Sequence, residues 1–373
     1  MKITVLKENL KKGLAVVERI VGKSLTLPIL NNILIKADKT YLNLISTNLE
    51  VGVKYWILAK VEKEGGVTIP SKVLSSFIAN IPEDKISMDL KENTVKIDAK
   101  NYKTQIKGIS AQEFPIIPDI ETTEYTEIDA QPFCEAIASI IGFCNQNQSR
   151  PELSGVYINF DKDAIDFVAT DSFRLAERTV NLKSSIKGGF SFILPQKTAA
   201  EVVNIFAEEQ KVRIYYSANQ VLFESYFSET KQPKIQLNST LIQGNYPPYK
   251  DLVPQKFATT VTLSRDEFIN QLKTASLFST KTNEVRLELD SKQKQINVFS
   301  QNPDVGENQS NMEAEIAGKD LSVNFNYRFL LEGAAAIKTK NISFELNTEE
   351  APAIIKPIGE KNFVYLVMPV RSV

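Results

Sequence analysis

The chain has 373 residues, with 44 Lys+Arg against 45 Asp+Glu and a formal net charge of −1. Its 43% apolar and 24% charged residues exclude disorder, collagen and a disulfide miniprotein, and the length suits two or three domains. Histidine is absent, which removes Ser-His-Asp and Cys-His catalysis, His-ligated zinc and haem on a proximal His.

The opening MKITVLKENL has no apolar signal core, and no apolar run approaches the roughly 18 residues that cross a bilayer. A cytosolic globular protein is expected, without membrane association. Along the chain a β-type run, a polar break and an apolar helical stripe recur three times. They begin at Thr4, Thr126 and Thr260, with Leu10, Phe133 and Phe268 at matching places. A short strand-like run follows each (from Leu42, Ile165 and Ile296), then a second strand–helix pattern (from Val67, Phe190 and Leu321). Three domains are predicted, at 1–121, 122–254 and 255–373, with connectors near Asp119–Thr123 and Pro254–Phe257. Each carries two helices packed on antiparallel sheet, an α+β architecture three times over. Lys54–Lys60, Ser87–Ile97 and Tyr102–Ile109 read as strands with one buried face. Gly65-Gly66 and Gly188-Gly189 read as turns, because neither has the Gly-Lys-Ser/Thr ending of a phosphate loop.

The helices place apolar residues on one face and cations on the other. The first buries Leu10, Leu14, Val17 and Val21, and exposes Lys12, Arg19 and Lys23. The second buries Val73, Leu74, Phe77 and Ile78 and exposes Lys72. The third buries Phe133, Ile137, Ile140 and Cys144, with Gln146 on its far side and Arg150 shortly after. The later helices expose Lys197, Lys273, Lys281, Arg328 and Lys338. A charge bias that follows the repeat points to one shared surface for a polyanion, with double-stranded DNA held through phosphates and not read by sequence. Cys134 and Cys144, ten positions apart, lie too far apart on one helix for a bridge and read as reduced, buried thiols. Asp161, Asp163 and Asp166 are the best carboxylate cluster for a metal-dependent enzyme, but they fall at a hairpin turn, where Asp serves turn chemistry.

Five segments carry a family resemblance: MKITVLKENL, TLPILNNILI from Thr26, ATDSFRLA from Ala169, GNYPPYKDLVP from Gly244 and YLVMPVR from Tyr365. The chain resembles the bacterial DNA polymerase III beta subunits, the processivity sliding clamps, from end to end. The resemblance implies a non-enzymatic homodimeric ring of six domains, lined by twelve helices, with no cofactor and no metal. Helices about 10 Å wide give a lumen of roughly 28 Å for twelve and roughly 9 Å for six, and duplex DNA, roughly 20 Å across, passes only the larger. By the same resemblance, Ile106 on strand Asn101–Ile109 meets the partner chain near Leu277 and Phe278. It further implies a peptide pocket for the replicative polymerase, the clamp loader and other partners carrying a clamp-binding motif. Leu153, Thr170, Arg174, Leu175, Pro247, Leu252, Asn326, Phe329, Ile355, Leu366, Met368, Pro369 and Val370 would form it. The sequence departs from the family at Asp251, often Arg, and Phe173, often His, which alters the polar rim. A monomeric three-module protein-binding scaffold is the alternative, against which the exposed cation rows stand.

Overall fold

The computed structural model describes residues 1–22, 26–147, 149–182, 189–230 and 232–370. The first repeat runs β1 (Lys2–Leu6), α1 (Lys7–Val17), β2 (Asn32–Asp38), β3 (Tyr41–Thr47), β4 (Val51–Leu58), β5 (Lys60–Lys63), β6 (Gly65–Pro70), α2 (Ser71–Asn80), β7 (Lys85–Lys91), β8 (Thr94–Ala99), β9 (Tyr102–Lys107) and the short β10 (Ile109–Ser110). The second runs β11 (Thr126–Asp129), α3 (Ala130–Ile140), β12 (Gly155–Phe160), β13 (Ala164–Thr170), β14 (Arg174–Asn181), β15 (Phe190–Pro195), α4 (Gln196–Phe206), β16 (Lys211–Tyr216), β17 (Gln220–Tyr226) and β18 (Pro233–Thr240). The third runs β19 (Thr259–Ser264), α5 (Arg265–Ser276), β20 (Glu284–Asp290), β21 (Gln295–Asn302), β22 (Gly306–Gly318), β23 (Leu321–Asn326), α6 (Tyr327–Ala335), β24 (Asn341–Leu346), β25 (Ala353–Pro357) and β26 (Phe363–Val367). The fold is α+β, with two α-helices to each repeat among the described residues.

The local sequence explains these elements. In α1, Leu10, Leu14 and Val17 are buried at helical spacing. Serine and asparagine oxygens open the third repeat's helices: Ser264 accepts from the Glu267 amide at 3.5 Å, and Asn326 from the Arg328 amide at 3.0 Å. The segment Ser87–Ile97 is not one strand. It is the hairpin of β7 and β8, turned at Glu92, whose φ is 52°; no glycine marks that turn in the sequence. In α2, Leu74 and Ile78 are buried but Val73 is exposed, so the apolar face is narrower than the pattern predicts. The third helix stops at Ile140 and a 3₁₀ turn follows, which takes Cys144, Gln146 and Arg150 off the helix.

Strand order explains how the middle repeat is divided. A nine-stranded sheet runs β10-β6-β2-β3-β4-β18-β17-β16-β11, and a twelve-stranded one runs β15-β12-β13-β14-β26-β25-β24-β19-β22-β21-β20-β23. A five-stranded sheet, β5-β1-β7-β8-β9, completes the set. The chain forms two compact units, Met1–Cys134 with Ala200–Leu241, and Glu135–Ala199 with Ile242–Val373. The three sequence repeats thus fold into two packed bodies, because the middle repeat gives β16–β18 to the first and β12–β14 to the second. Each unit contains one seam where strands of different repeats join antiparallel. In the first, β4 pairs β18 from Val51↔Ser239 to Tyr55↔Ile235. In the second, β14 pairs β26 from Arg174↔Val367 to Arg178↔Phe363. These main-chain ladders satisfy edge strands that would otherwise be exposed.

Candidate functional site

The β13–β14 turn anchors the second unit's site. Thr170 Oγ1 donates to the Arg174 carbonyl at 2.6 Å and accepts from the Ser172 amide at 3.1 Å. Asp171 Oδ1 accepts from the amides of Phe173 and Arg174, both at 3.0 Å. These bonds hold Ser172 at φ 79°, a left-handed conformation that side chains other than Gly and Asn adopt at a cost. Past the end of β26, the Met368 amide donates to the Phe173 carbonyl at 2.8 Å, and the Val370 amide to the Asn324 carbonyl at 2.8 Å.

The first unit repeats this arrangement. Thr47 Oγ1 donates to the Val51 carbonyl at 2.9 Å and accepts from the Leu49 amide at 3.0 Å. Asn48 Oδ1 accepts from the Glu50 and Val51 amides at 3.0 and 2.8 Å, and Leu49 has φ 77°. The Thr240 amide reaches the Glu50 carbonyl at 3.0 Å, as Met368 reaches Phe173.

Register divides the predicted slot residues between two faces of the sheet, because successive side chains alternate. Thr170, Leu175, Leu366 and Ile354 share one face by direct cross-strand pairing. There Leu175, Leu366, Ile354 and Val168 pack with Tyr249 in one buried cluster, flanked by Tyr246, Tyr157 and Val253. Leu252 beside it is 57% exposed, Pro247 is half-buried and Met368 is exposed at the strand end. Ile355 pairs with Tyr365 on the opposite face and is fully buried. Leu153 is buried at the head of β12. Pro369 and Val370 are half-buried beyond β26.

Arg174 is also on the helix-facing side, since it pairs with Val367. Its guanidinium lies 4.5 Å from the Phe329 ring centre and 5.1 Å from that of Phe143. Nε donates to Asp171 at 3.0 Å and Nη1 to Glu332 at 2.6 Å. Arg174 therefore fastens the turn to α6, and much of its donor capacity is used within the fold. Phe173, 62% exposed, stacks on Phe329 at 6.4 Å between centroids and forms an aromatic shelf at the site's edge. Asn326 is the N-cap of α6, with its side-chain oxygen engaged by the Arg328 amide. Gly333 allows α6 to sit on the sheet: a Cβ there would come within 2.2 Å of the Tyr365 ring, whose hydroxyl donates to the Phe329 carbonyl at 2.8 Å.

Sequence reasoning missed the residues of the connector that cover this floor. The Tyr249 hydroxyl donates to Glu177 at 2.8 Å. Burial holds the Glu177 carboxyl above its ordinary pKa, although that hydrogen bond pulls the other way. Tyr157 and Tyr246 stack at 4.8 Å. The tyrosines of YPPYKDLVP were the available signal, since aromatic residues next to prolines in a connector must pack on something. Asp166 sits in strand β13 and not in the hairpin turn; it takes Thr179 at 2.8 Å and Lys250 at 3.5 Å. Asp161 accepts from the Lys162 amide at 2.7 Å, as turn chemistry predicts.

The cation rows are exposed but differ in partnership. Lys12 on α1 pairs with Glu8 at 2.9 Å, and Arg19, in the turn beyond α1, pairs with Glu201. Lys72 on α2, Lys197 on α4, Lys273 on α5 and Arg328 on α6 are exposed, as is Lys281 in the turn beyond α5. Gln146 donates to Gln196 at 2.9 Å and Arg150 to Ser172 at 3.1 Å, both from the loop after α3. Lys23 lies outside the described residues. Of the expected interface residues, Leu277 caps α5 and is 69% exposed, and Phe278 beside it is half-buried. Ile106 is only 6% exposed within its own chain. Both thiols are buried, which pushes each up to about 12.

Three models match consecutive stretches: DNA polymerase III beta subunit, N-terminal domain, over residues 1–118; central domain, over 127–248; and C-terminal domain, over 250–371. The chain belongs to the DNA polymerase III beta subunit family. That family is a non-catalytic processivity factor, the sliding clamp of DNA replication. The beta sliding clamp of Synechococcus elongatus is 28% identical over 379 residues, spanning 100% of this chain and 99% of that protein. The clamp of Staphylococcus aureus strain N315 is 23% identical, spanning 93% of each. Among solved structures, the DNA polymerase sliding clamp from Bacillus subtilis matches with a TM-score of 0.93 at 23% identity. The beta subunit from Thermotoga maritima matches at 0.91 and 24%, and both comparisons cover 100% of each chain. No helix among the described residues of this beta subunit is long and apolar enough to cross a membrane.

Proposed function

We propose that two copies of this beta subunit close head to tail into a ring of six domains, divided at 1–121, 122–254 and 255–373. The ring encircles duplex DNA and tethers the replicative polymerase, the clamp loader and other partners through the slot. One observation carries the reading: the seam occurs twice within the chain, and the strands for a third remain unpaired. Over Gly306–Glu313, β22 pairs with β21 on one edge only, and β9 is the last strand of its sheet. Extending the pattern of the two internal seams sets β9 of one chain antiparallel to β22 of the other. Gly306 is then opposite Ile106, and Glu307 opposite Gln105.

Charge favours the same pairing, because β9 carries Lys103 and Lys107 and no acid, whereas β22 opens with Glu307 after Asp304. Phe278 matches Phe143 by helix position, and Phe143 packs on Tyr365 at 5.1 Å across the second seam. Phe278 and Leu277 therefore suit the third seam, with Ile106 opposite Gly306, over which the Phe278 ring lies. Both ends of the chain supply one half of the contact, so a ring closes after two copies. The exposed cations Lys12, Arg19, Lys72, Lys197, Lys273, Lys281 and Arg328, with Gln146 and Arg150, supply phosphate contacts without base readout.

The test is topological. Clamp loaded on nicked circular DNA remains bound through gel filtration in high salt and is lost when the circle is linearised. Equal retention on both forms would mean simple adhesion and refute encirclement.

A further inference from the structure

The two internal seams share a turn, a register and a crossing connector, but they fasten the connector differently. In the first unit, Ile117 lies over Gly52, where an added Cβ would come within 2.8 Å of it. Asn238 Nδ2 donates to the Pro118 carbonyl at 2.6 Å, and Lys54 Nζ meets Asp119 at 2.8 Å. Matching the turns and ladders sets Leu175 at the place of Gly52, Glu177 at that of Lys54, and Leu366 at that of Asn238. Tyr249 covers this floor as Ile117 covers the other, and two residues on, Asp251 corresponds to Asp119.

At the second seam the cation is missing. Glu177 stands where Lys54 would, and accepts from the Tyr249 hydroxyl. Lys250 is directed to Asp166 instead. Asp251 is exposed, with neither an ion pair nor a side-chain hydrogen bond among the described residues. Next to it, Leu252 presents apolar surface, so a chain lying on the slot passes a carboxylate that the fold leaves unmatched.

We propose, on the basis of the slot reading above, that the partner peptide carries a Lys or Arg beside its apolar anchors and pairs that side chain with Asp251. The incoming residue supplies from outside the charge that Lys54 supplies to Asp119 from within. Asp251 is a specificity determinant, and the occupant is a basic–apolar peptide.

Two sets of three fluorescent acetylated hexapeptides, one set for each side of the anchors, test this against the full-length protein. All share Leu and Phe anchors, and within a set they differ only in Lys, Ala or Glu at the flanking position. On one of the two sides the Lys peptide binds about 3–5-fold tighter than the Ala peptide, the range of an exposed ion pair, and Glu binds weaker still. The preference shrinks between 50 and 500 mM salt. Asp251→Asn abolishes the Lys preference, so that the Lys and Ala peptides bind alike, while Asp251→Lys reverses the order. Equal binding of all three to the unsubstituted protein, or tighter binding of Glu, overturns the proposal while the slot stands. If none of the peptides binds, the slot reading itself falls and the proposal falls with it.

Discussion

Replacing Gly333 by alanine sets two effects against each other. Alanine in a helix interior is favoured over glycine by about 1 kcal/mol. Here its methyl would stand 2.2 Å from Tyr365, and the ring is fully buried. Overpacking of this kind costs about 1–3 kcal/mol. A ring that moves also gives up its hydroxyl bond to the Phe329 carbonyl, a further ~1 kcal/mol. The net expectation for Gly333→Ala is a loss of about 1–3 kcal/mol. In a Tyr365→Leu background the obstruction is gone, and the same substitution stabilises by about 0.5–1 kcal/mol, so the sign reverses. The assay is native-state hydrogen exchange of the α6 amides, which reads local opening in a chain of several domains better than one melting curve. A loss of 2 kcal/mol accelerates exchange about 30-fold. Slower exchange in Gly333→Ala with Tyr365 intact would refute the reasoning.

Glu177 gives a pH prediction. Its folded pKa is raised, so the native state holds the proton more tightly than the unfolded chain does. Stability therefore falls as pH rises from the ordinary carboxylate pKa of 4.5 through the raised value. Glu177→Gln keeps an acceptor for Tyr249 and removes this slope; its melting temperature exceeds the parent's at pH 8, and the two converge towards pH 5. Leu277→Asp converts the dimer to a monomer in sedimentation at micromolar concentration without changing the far-ultraviolet circular dichroism; an unchanged dimer would place the contact elsewhere. Cys134 and Cys144 react with a thiol reagent at neutral pH only as fast as the chain unfolds, because both are buried and pushed up to about 12. Rapid modification of the native protein would contradict that burial.

The repeat was the legible part of this sequence. Leu10, Phe133 and Phe268 recur because each must fill the same place under a helix, and all three are fully buried. The exposure of Leu277 was also legible, since it falls on the solvent side of the apolar stripe of α5. The division of the middle repeat was not, because strand pairing across a seam is made by main-chain atoms, which sequence patterns do not encode. That Leu175 and Leu366 come together could be read from the family motifs. Which face Ile355 takes could not, because a period of two leaves the register undetermined until the partner strand is known.

The joins at 51–55 and 174–178 are zipped by amides and carbonyls, so the ladder itself does not depend on which side chains it carries: Gly52 and Lys54 in one join stand where Leu175 and Glu177 stand in the other. Likeness between the two joins therefore survives in shape more than in spelling. Proline is a replacement that neither ladder absorbs, since it deletes a rung outright.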